Sequence, residues 1–356
     1  MSIRSYFDSF TERDWDRLDE TEPVRFALVG LGWWVLEQAM PAIAESDYCE
    51  TSVLVSRSAE KAADAAADHD GVEGISAEAY HAGDHADQYD AVYVCTPNAT
   101  HLDYVESAAE QEKAVLCEKP MEASSDRAER LIAACDEADV FLYIAYRMHT
   151  EPAVRRAKEL VDEGFIGDPV QIHGGMSGPL LELVPDENQW RLNADLAGGC
   201  SMIDIGIYPL NTARFVLDAD PTAVYGVTHT LHPAFEEVDE RVSFTAEFPN
   251  DVDAVCTATH NAYASSHLRI LGTEGELILD PIFYPWQDRE VTLRGHGVGG
   301  DISFEQANQM TEEFDYVATC IRTETEPVAT GRHGLVDMRA IEAIYESAET
   351  GERVTL

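Results

Sequence analysis

A chain of 356 residues, 45% of them hydrophobic, is long enough for two domains and apolar enough to fill their cores, which excludes wholesale disorder. Against 67 Asp and Glu stand 24 Lys and Arg, a formal net charge of −43 that excludes the basic face needed for nucleic acid or an anionic membrane. The acids run from Asp8 to Glu352 instead of gathering in a tail, and just four lysines are present; the charge is read as adaptation to a halophilic cytoplasm, where a Debye length of about 3 Å at 1 M salt screens self-repulsion.

In chain order, residues 1–20 are polar, acidic and dotted with aromatics, and read as an N-terminal arm outside the first domain. Acidic runs such as 12–22 are assigned to salt adaptation before any binding role. Val24–Val29 is an apolar strand ending in Gly30, followed by a helical pattern from Trp33 to about Glu45. Strands are expected at 51–55, 90–95, 114–117 and 140–145, with helices at 59–67, 101–111 and 125–137 between them. Strands alternating with helices predict an α/β architecture with a doubly wound parallel sheet over 21–147. From 148 to 356 the grammar changes. Strands at 170–173, 223–231, 241–248, 252–259, 266–271, 276–280 and 290–294, several joined by short turns, predict an α+β domain with a large, mostly antiparallel open sheet. Helices are expected at about 201–217, 306–323 and 333–349.

The seven cysteines are scattered, with no C-x-x-C and no zinc spacing, and are expected to be reduced thiols in a cytoplasmic protein. No apolar leader segment opens the sequence and no run of 18 apolar residues could span a membrane. No metal site is expected.

Gly30-Leu31-Gly32-Trp33-Trp34-Val35 sits where the first strand passes into the first helix. The first glycine permits the tight turn, the second lets a pyrophosphate approach the backbone, and the helix start offers N–H groups to it. Val35 stands where the dinucleotide fingerprint has its third glycine. The second strand ends Val55-Ser56-Arg57-Ser58, with Lys61 beyond, in place of the acid that holds an NAD ribose. Hydroxyls with Arg and Lys suit a 2′-phosphate, so NADP is favoured; a merely solvated helix start is the alternative. Thr96-Pro97-Asn98, with His101 following, lies at the carboxyl end of the next strand, where ligands bind, although Asn98 could equally be a helix cap. Glu118-Lys119-Pro120 ends the strand after that, at the same edge; a surface ion pair is its structural alternative.

G-L-G at 30–32, T-P-N-x-x-H at 96–101, E-K-P at 118–120 and the segment Gly198-Gly199-Cys200-Ser201-Met202-Ile203-Asp204-Ile205-Gly206-Ile207-Tyr208 together resemble the Gfo/Idh/MocA oxidoreductase family, over about residues 24–356. The acidic chain is similar in particular to NADP-preferring, sugar-oxidising halophilic members. The resemblance implies a Rossmann domain followed by a substrate domain whose sheet pairs copies into a homo-oligomer. It places Lys119 near the nicotinamide and the reacting hydroxyl, and makes Asp204 and Tyr208, one helical turn apart, catalytic and substrate-binding. Arg147, Trp190 and Arg191 match segments that line family sites less specifically. Cys200 replaces a glycine of the common pattern and puts little in doubt.

The implied activity is oxidation of an aldopyranose at C1. The cofactor takes the hydride, so the protein supplies a base and the alignment. A free tyrosine ionises near pH 10, and a nearby ammonium lowers that value. Tyr208 is therefore the expected base, Lys119 its tuner and substrate anchor, and Asp204 a hydroxyl acceptor; Lys119 itself could carry the proton. A nicotinamide-dependent glycoside hydrolase and a non-catalytic NADP-binding sensor are the rival readings, and the sugar is open among xylose, glucose, arabinose and cyclitols.

Overall fold

β-Branched runs alternating with alanine-rich helices build a six-stranded parallel sheet in the first half of the chain. The computed structural model describes residues 10–15, 18 and 22–356, and the rest of the expected arm lies outside the described residues. The strands are β1 Val24–Val29, β2 Cys49–Ser56, β3 Glu73–Ser76, β4 Ala91–Val94, β5 Ala114–Glu118 and β6 Leu142–Ala145. Their order is β3-β2-β1-β4-β5-β6, with every pairing parallel. β1 and β4 are the interior neighbours where the order reverses, so their carboxyl ends open the crevice in which such sheets bind ligands. β3 was not anticipated: its four residues, Glu-Gly-Ile-Ser, bury one side chain fully and carry no alternation to read.

The second sheet has nine strands: β7 Pro169–Pro179, β8 Ala223–His229, β9 Arg241–Phe248, β10 Val252–Thr259, β11 Asn261–Gly272, β12 Gly275–Leu279, β13 Val291–Gly295, β14 Val298–Ile302 and β15 Val354–Thr355. Their order is β14-β13-β12-β11-β7-β10-β9-β8-β15. The pairings are antiparallel except β7 with β10, which run parallel. β7 runs well past the expected 170–173, through Gly174-Gly175-Met176-Ser177-Gly178, a composition that reads as loop. The glycines are there for close approach: a Cβ on Gly174 would lie 2.7 Å from Pro209 Cβ, and one on Gly178 would lie 2.5 Å from the Tyr284 hydroxyl. The strand thus lets the helix Ile207–Leu217 seat directly on the sheet.

By packing, the described chain forms two units, one comprising Asp14–Arg147 and Asn308–Leu335, the other 10–13, Met148–Ala307 and Val336–Leu356. Two segments therefore sit elsewhere than the sequence reading put them. The helix Gln309–Thr323 belongs with the parallel sheet, where Phe314 packs edge-on against Phe26 and Tyr93 at 5.2 Å each. Part of the expected arm belongs with the second sheet's unit. Phe10 is buried against Phe304, ring centroids 4.3 Å apart, its carbonyl accepts from Arg156 Nε at 3.0 Å, and Glu12 O accepts from Arg155 at 2.9 Å. Contacts that distant in sequence leave no local pattern to read. Six cysteines are buried, Cys95 is half-buried, and all seven are free thiols. No helix among the described residues is long and apolar enough to cross a membrane.

Candidate active site

The glycine turn after β1 is tied on both sides: Gly30 N–H donates to Val55 O at 3.1 Å and Cys95 N–H donates to Val29 O at 2.9 Å. Gly30 has φ +94° and a Cβ there would stand 2.0 Å from Cys95 O, so the fold itself demands this glycine. Gly32 differs: a Cβ there would meet nothing within 4 Å. Among the described residues no neighbour requires glycine at 32, and the space beside it is open. The helix begins at Trp33 and widens into a π turn over Val35–Ala39, with Val35 fully buried in place of the third glycine. Trp33 is exposed, and Trp34 donates from Nε1 to the Tyr93 hydroxyl at 3.1 Å.

At the end of β2, Ser56 is half-buried and Arg57 exposed, and Ser58 caps the next helix by accepting from Lys61 N–H at 3.2 Å. The Lys61 ammonium reaches back to donate to Leu31 O at 2.5 Å, which joins the β2 end to the glycine turn. Burial pushes the Tyr104 phenol up, and Arg57 beside it opposes that shift. A 2′-phosphate at this edge would meet Arg57, Lys61 and two hydroxyls, with no carboxylate in Val55-Ser56-Arg57-Ser58 to repel it. The residues fit NADP.

Thr96, Pro97 and Asn98 form the loop after β4. Asn98 is buried inside a short 3-10 turn, Asn98–Thr100, so it is not the cap of that turn. Thr96 Oγ1 lies 2.8 Å from the Thr100 hydroxyl. His101 is 1% exposed, with Nε2 2.9 Å from Thr96 O and Nδ1 3.3 Å from Met121 O. It pins the loop from below and is too buried to touch a ligand directly, a correction to its expected contact role. Burial holds its imidazole below the usual range.

A hydrogen-bonded row crosses the carboxyl ends of the parallel strands. Trp34 donates to Tyr93, Tyr93 Oη donates to Glu118 Oε1 at 2.6 Å, and Lys119 N–H donates to Glu118 Oε2 at 3.0 Å. Glu118 is thereby used on both oxygens, not as a loose surface ion pair, and Lys119 stands half-buried at the end of the row. Arg147 does not line a sugar site from an exposed position. It is 4% exposed, lies 5.6 Å from the Trp34 ring and donates to Gln309 Oε1, tying the helix Gln309–Thr323 to the glycine-turn helix within this unit.

The second unit gathers Arg191, Asp204 and Tyr208. Arg191 lies in a 3-10 turn, Trp190–Leu192, with its guanidinium 4.5 Å from the Trp190 ring, and its Nε donates to Asp204 Oδ2 at 3.0 Å. His260 Nε2 meets the same oxygen at 3.0 Å. Asp204 lies in a π-helix, Ser201–Gly206, that runs into the helix carrying Tyr208, in place of the single α-helix expected. π Turns are rare and often mark functional sites. Burial pushes the Tyr284 phenol up to about 12, and Asp204 and Tyr208 push the same way, so both face Tyr284. Tyr208 packs against Phe283 with ring centroids 5.6 Å apart.

The π turn is held at its start by Asp239, which accepts from Cys200 N–H and Met202 N–H at 2.7 Å each and from the Tyr345 hydroxyl at 2.8 Å. Burial raises the Asp239 carboxyl, and these hydrogen bonds oppose the rise. Gly199, at φ +145°, would drive a Cβ to 2.1 Å from the Tyr345 hydroxyl, so the G-G-C turn is shaped by its own packing. Asp239, His260 and Tyr284 escaped the sequence reading because they sit 35 to 80 residues from Asp204 in positions without a local signature.

A family model described as an oxidoreductase family with an NAD-binding Rossmann fold matches residues 24–146, and the GFO/IDH/MocA C-terminal domain matches residues 154–278. The chain is 56% identical to a D-xylose 1-dehydrogenase [NADP(+)] from Haloarcula marismortui, with all of both chains covered. It is 31% identical to D-xylose 1-dehydrogenase (NADP(+)) 2 from Haloferax volcanii, covering 93% of this chain and 99% of that one. Among solved structures, the aldose-aldose oxidoreductase from Caulobacter crescentus, complexed with glycerol, superposes with a TM-score of 0.88 at 33% identity, over 94% of this chain and 100% of the other. With both halves matched and the glycine turn, the Glu118-Lys119 edge and the Asp204–Tyr208 segment in place, the chain belongs to the Gfo/Idh/MocA family of oxidoreductases.

Proposed function

We propose that the protein oxidises D-xylose at C1 to D-xylono-1,5-lactone with NADP⁺. The observation that carries this reading is the full-length 56% identity to an enzyme of that name. The β2 end, with Arg57 and Lys61 in place of a ribose-binding acid, supports the choice of NADP. An aldose panel read at 340 nm in molar salt, with NADP⁺ and NAD⁺, tests both parts. Fastest turnover of xylose with NADP⁺ is expected, and preference for a cyclitol, or aglycone release from a nitrophenyl glycoside without net NADPH, overturns it.

In the mechanism, NADP⁺ when bound supplies the hydride acceptor. Tyr208 takes the proton of the C1 hydroxyl, and Lys119 anchors that oxygen and stabilises the phenolate. Asp204, fixed by Arg191 and His260, accepts from a ring hydroxyl and orients the sugar, with Trp190 beside Arg191 at the same site. Gly30, Leu31, Gly32, Trp33 and Trp34 cradle the pyrophosphate, and Thr96, Pro97 and Asn98 border the ring.

Cofactor choice has its own test. In molar salt long-range steering is screened, so preference rests on direct contacts. A hydrogen bond to a charged group contributes roughly 1.5–3 kcal/mol, about a 10- to 150-fold change in affinity. Arg57→Ala is expected to raise KM for NADP⁺ by about that factor and leave NAD⁺ nearly unchanged. Equal weakening of both cofactors would place Arg57 outside the phosphate site.

The protein is further proposed to be a halophilic cytoplasmic homo-oligomer. Its open sheet face supports this: Tyr225, Val227 and Val255 are exposed on β8 and β10, across from Thr245 and Ser243 of β9. Light scattering at molar salt checks the association, and a monomer overturns it.

A further inference from the structure

Strand register lines up three polar side chains at one end of the parallel sheet. Tyr93 on β4 pairs with Leu28 of β1 on one side and with Leu116 of β5 on the other. Side chains of a strand return to the same face every second residue, so Glu118 shares a face with Leu116 and Tyr93 and lies nearer the carboxyl edge. The helix that opens after Gly30 brings Trp34 to the same corner, where its Nε1 lies 3.1 Å from the Tyr93 hydroxyl.

Tyr93 is 0% exposed, with its ring edge-on against Phe314 at 5.2 Å. Phenylalanine would fill that packing equally well. A buried hydroxyl costs stability unless it is hydrogen-bonded, and this one is bonded twice: it accepts from Trp34 and donates to Glu118 Oε1 at 2.6 Å. The polarity of the row is fixed. An indole N–H only donates, and both Glu118 oxygens accept, so the one proton of the phenol is given to Glu118. The second oxygen, Oε2, accepts from Lys119 N–H at 3.0 Å, and the carboxyl group thereby grips the backbone of the residue that carries the ammonium. The far end is held as well. The Arg147 guanidinium lies 5.6 Å from the Trp34 ring and donates to Gln309, on the same helix as Phe314.

We propose that Tyr93 is a positioning residue for Lys119. Through Glu118 it fixes the backbone from which the lysine stem leaves, and through Trp34 it references that backbone to the helix of the glycine turn. The ammonium is thus set relative to the helix start at which the pyrophosphate is proposed to bind. The inference rests on the reading that Lys119 meets the reacting hydroxyl. Tyr93, wholly buried, touches no reacting atom and acts through Glu118 alone.

The chain's lysines are Lys61, Lys113, Lys119 and Lys158, few enough to be followed one by one. The full chain in molar salt, without cofactor or sugar, is given a trace of isotope-labelled acetic anhydride, and acetylation of each lysine is read by peptide mass spectrometry. In Tyr93→Phe the rate at Lys119 is expected to rise about two- to tenfold, the weight of one hydrogen bond, while the other three lysines keep their parent rates. An unchanged rate at Lys119, or a common rise at all four, overturns the proposal, since a general loosening of the fold would not single out one lysine. Glu118→Gln keeps the shape of the side chain and surrenders one acceptor oxygen. It is expected to raise Lys119 acetylation selectively too, and if Tyr93→Phe does not fold, a parent rate at Lys119 in Glu118→Gln overturns the proposal.

Kinetics supply a second arm. Tyr93→Phe is expected to lower kcat about tenfold with KM for NADP⁺ within about twofold of the parent. The same substitution made in Lys119→Met is expected to lower kcat no further, because nothing is left to position. A fall of equal size in both backgrounds overturns the proposal. If Lys119→Met turns over like the parent, or the parent oxidises no sugar, the catalytic reading fails, and the acetylation pattern still decides whether Tyr93 holds Lys119.

Discussion

Lys119→Met is expected to lower kcat by at least about 100-fold and to leave cofactor affinity largely in place. Acid–base contributions run roughly 10²–10⁴-fold, and Lys119 stands at the end of the row Trp34–Tyr93–Glu118 on the carboxyl edge of the parallel sheet. Methionine keeps the length of the stem and removes the ammonium. The proposed pyrophosphate cradle at Gly30–Gly32 is built from other residues, so the loss is expected on turnover and not on binding. Tyr208→Phe is the companion. It keeps the ring packed against Phe283 and deletes the hydroxyl, so a comparable fall in rate is expected. Stopped-flow hydride transfer and steady-state kinetics over pH read both. Wild-type-like turnover of Lys119→Met removes its role, and a Phe variant that keeps most activity moves the base to Lys119 or solvent.

Dilution from molar salt to below a few hundred millimolar KCl or NaCl is expected to unfold the protein and abolish activity. At a net charge of −43 the folded chain repels itself once screening is lost, because the Debye length grows from about 3 Å at 1 M to about 10 Å at 0.1 M. The cationic partners are few: several arginines are committed to buried or half-buried pairs such as Arg289 with Glu151, Arg214 with Asp337 and Arg127 with Glu122. Melting temperature followed against salt decides the matter. A Tm that does not change across that range contradicts the halophilic reading.

Much of the parallel half was legible because its signals are local. Val24–Val29, 90–95 and 114–117 are short apolar runs bounded by turn residues, and each corresponds to a strand of the six-stranded sheet. β3, β14 and β15 were missed. The first has no alternation, the second is Val-Gly-Gly-Asp-Ile, and the third is two residues at the chain's end, paired with β8. The glycine-rich end of β7 reads as loop for the same reason: a strand that must accept Pro209 and Tyr284 at close range has given up the side chains that announce strands.

The candidate site divides along similar lines. Gly30, Lys119, Asp204 and Tyr208 stand out in the sequence because each belongs to a short motif in a recognisable strand–loop–helix setting. Arg147 and His101 were drawn in by their neighbours in sequence, and the structure buries both; adjacency to a motif does not say which way a side chain points.

The sequence by itself determined the two-domain α/β plan, the acidic character of the chain, the glycine turn and the family motifs, because composition, period and short motifs act over one or two turns of chain. Tertiary structure alone decided which long-range partners complete them. It joined His260 and Arg191 to one oxygen of Asp204, set Asp239 at the start of a π turn, moved the helix Gln309–Thr323 onto the parallel sheet, and buried Glu313 of that helix completely. The physical reason is common to all four. Burial and hydrogen-bond partnership are properties of space, and a carboxylate acquires its chemistry from whatever the fold brings within about 3 Å of it, however far away along the chain.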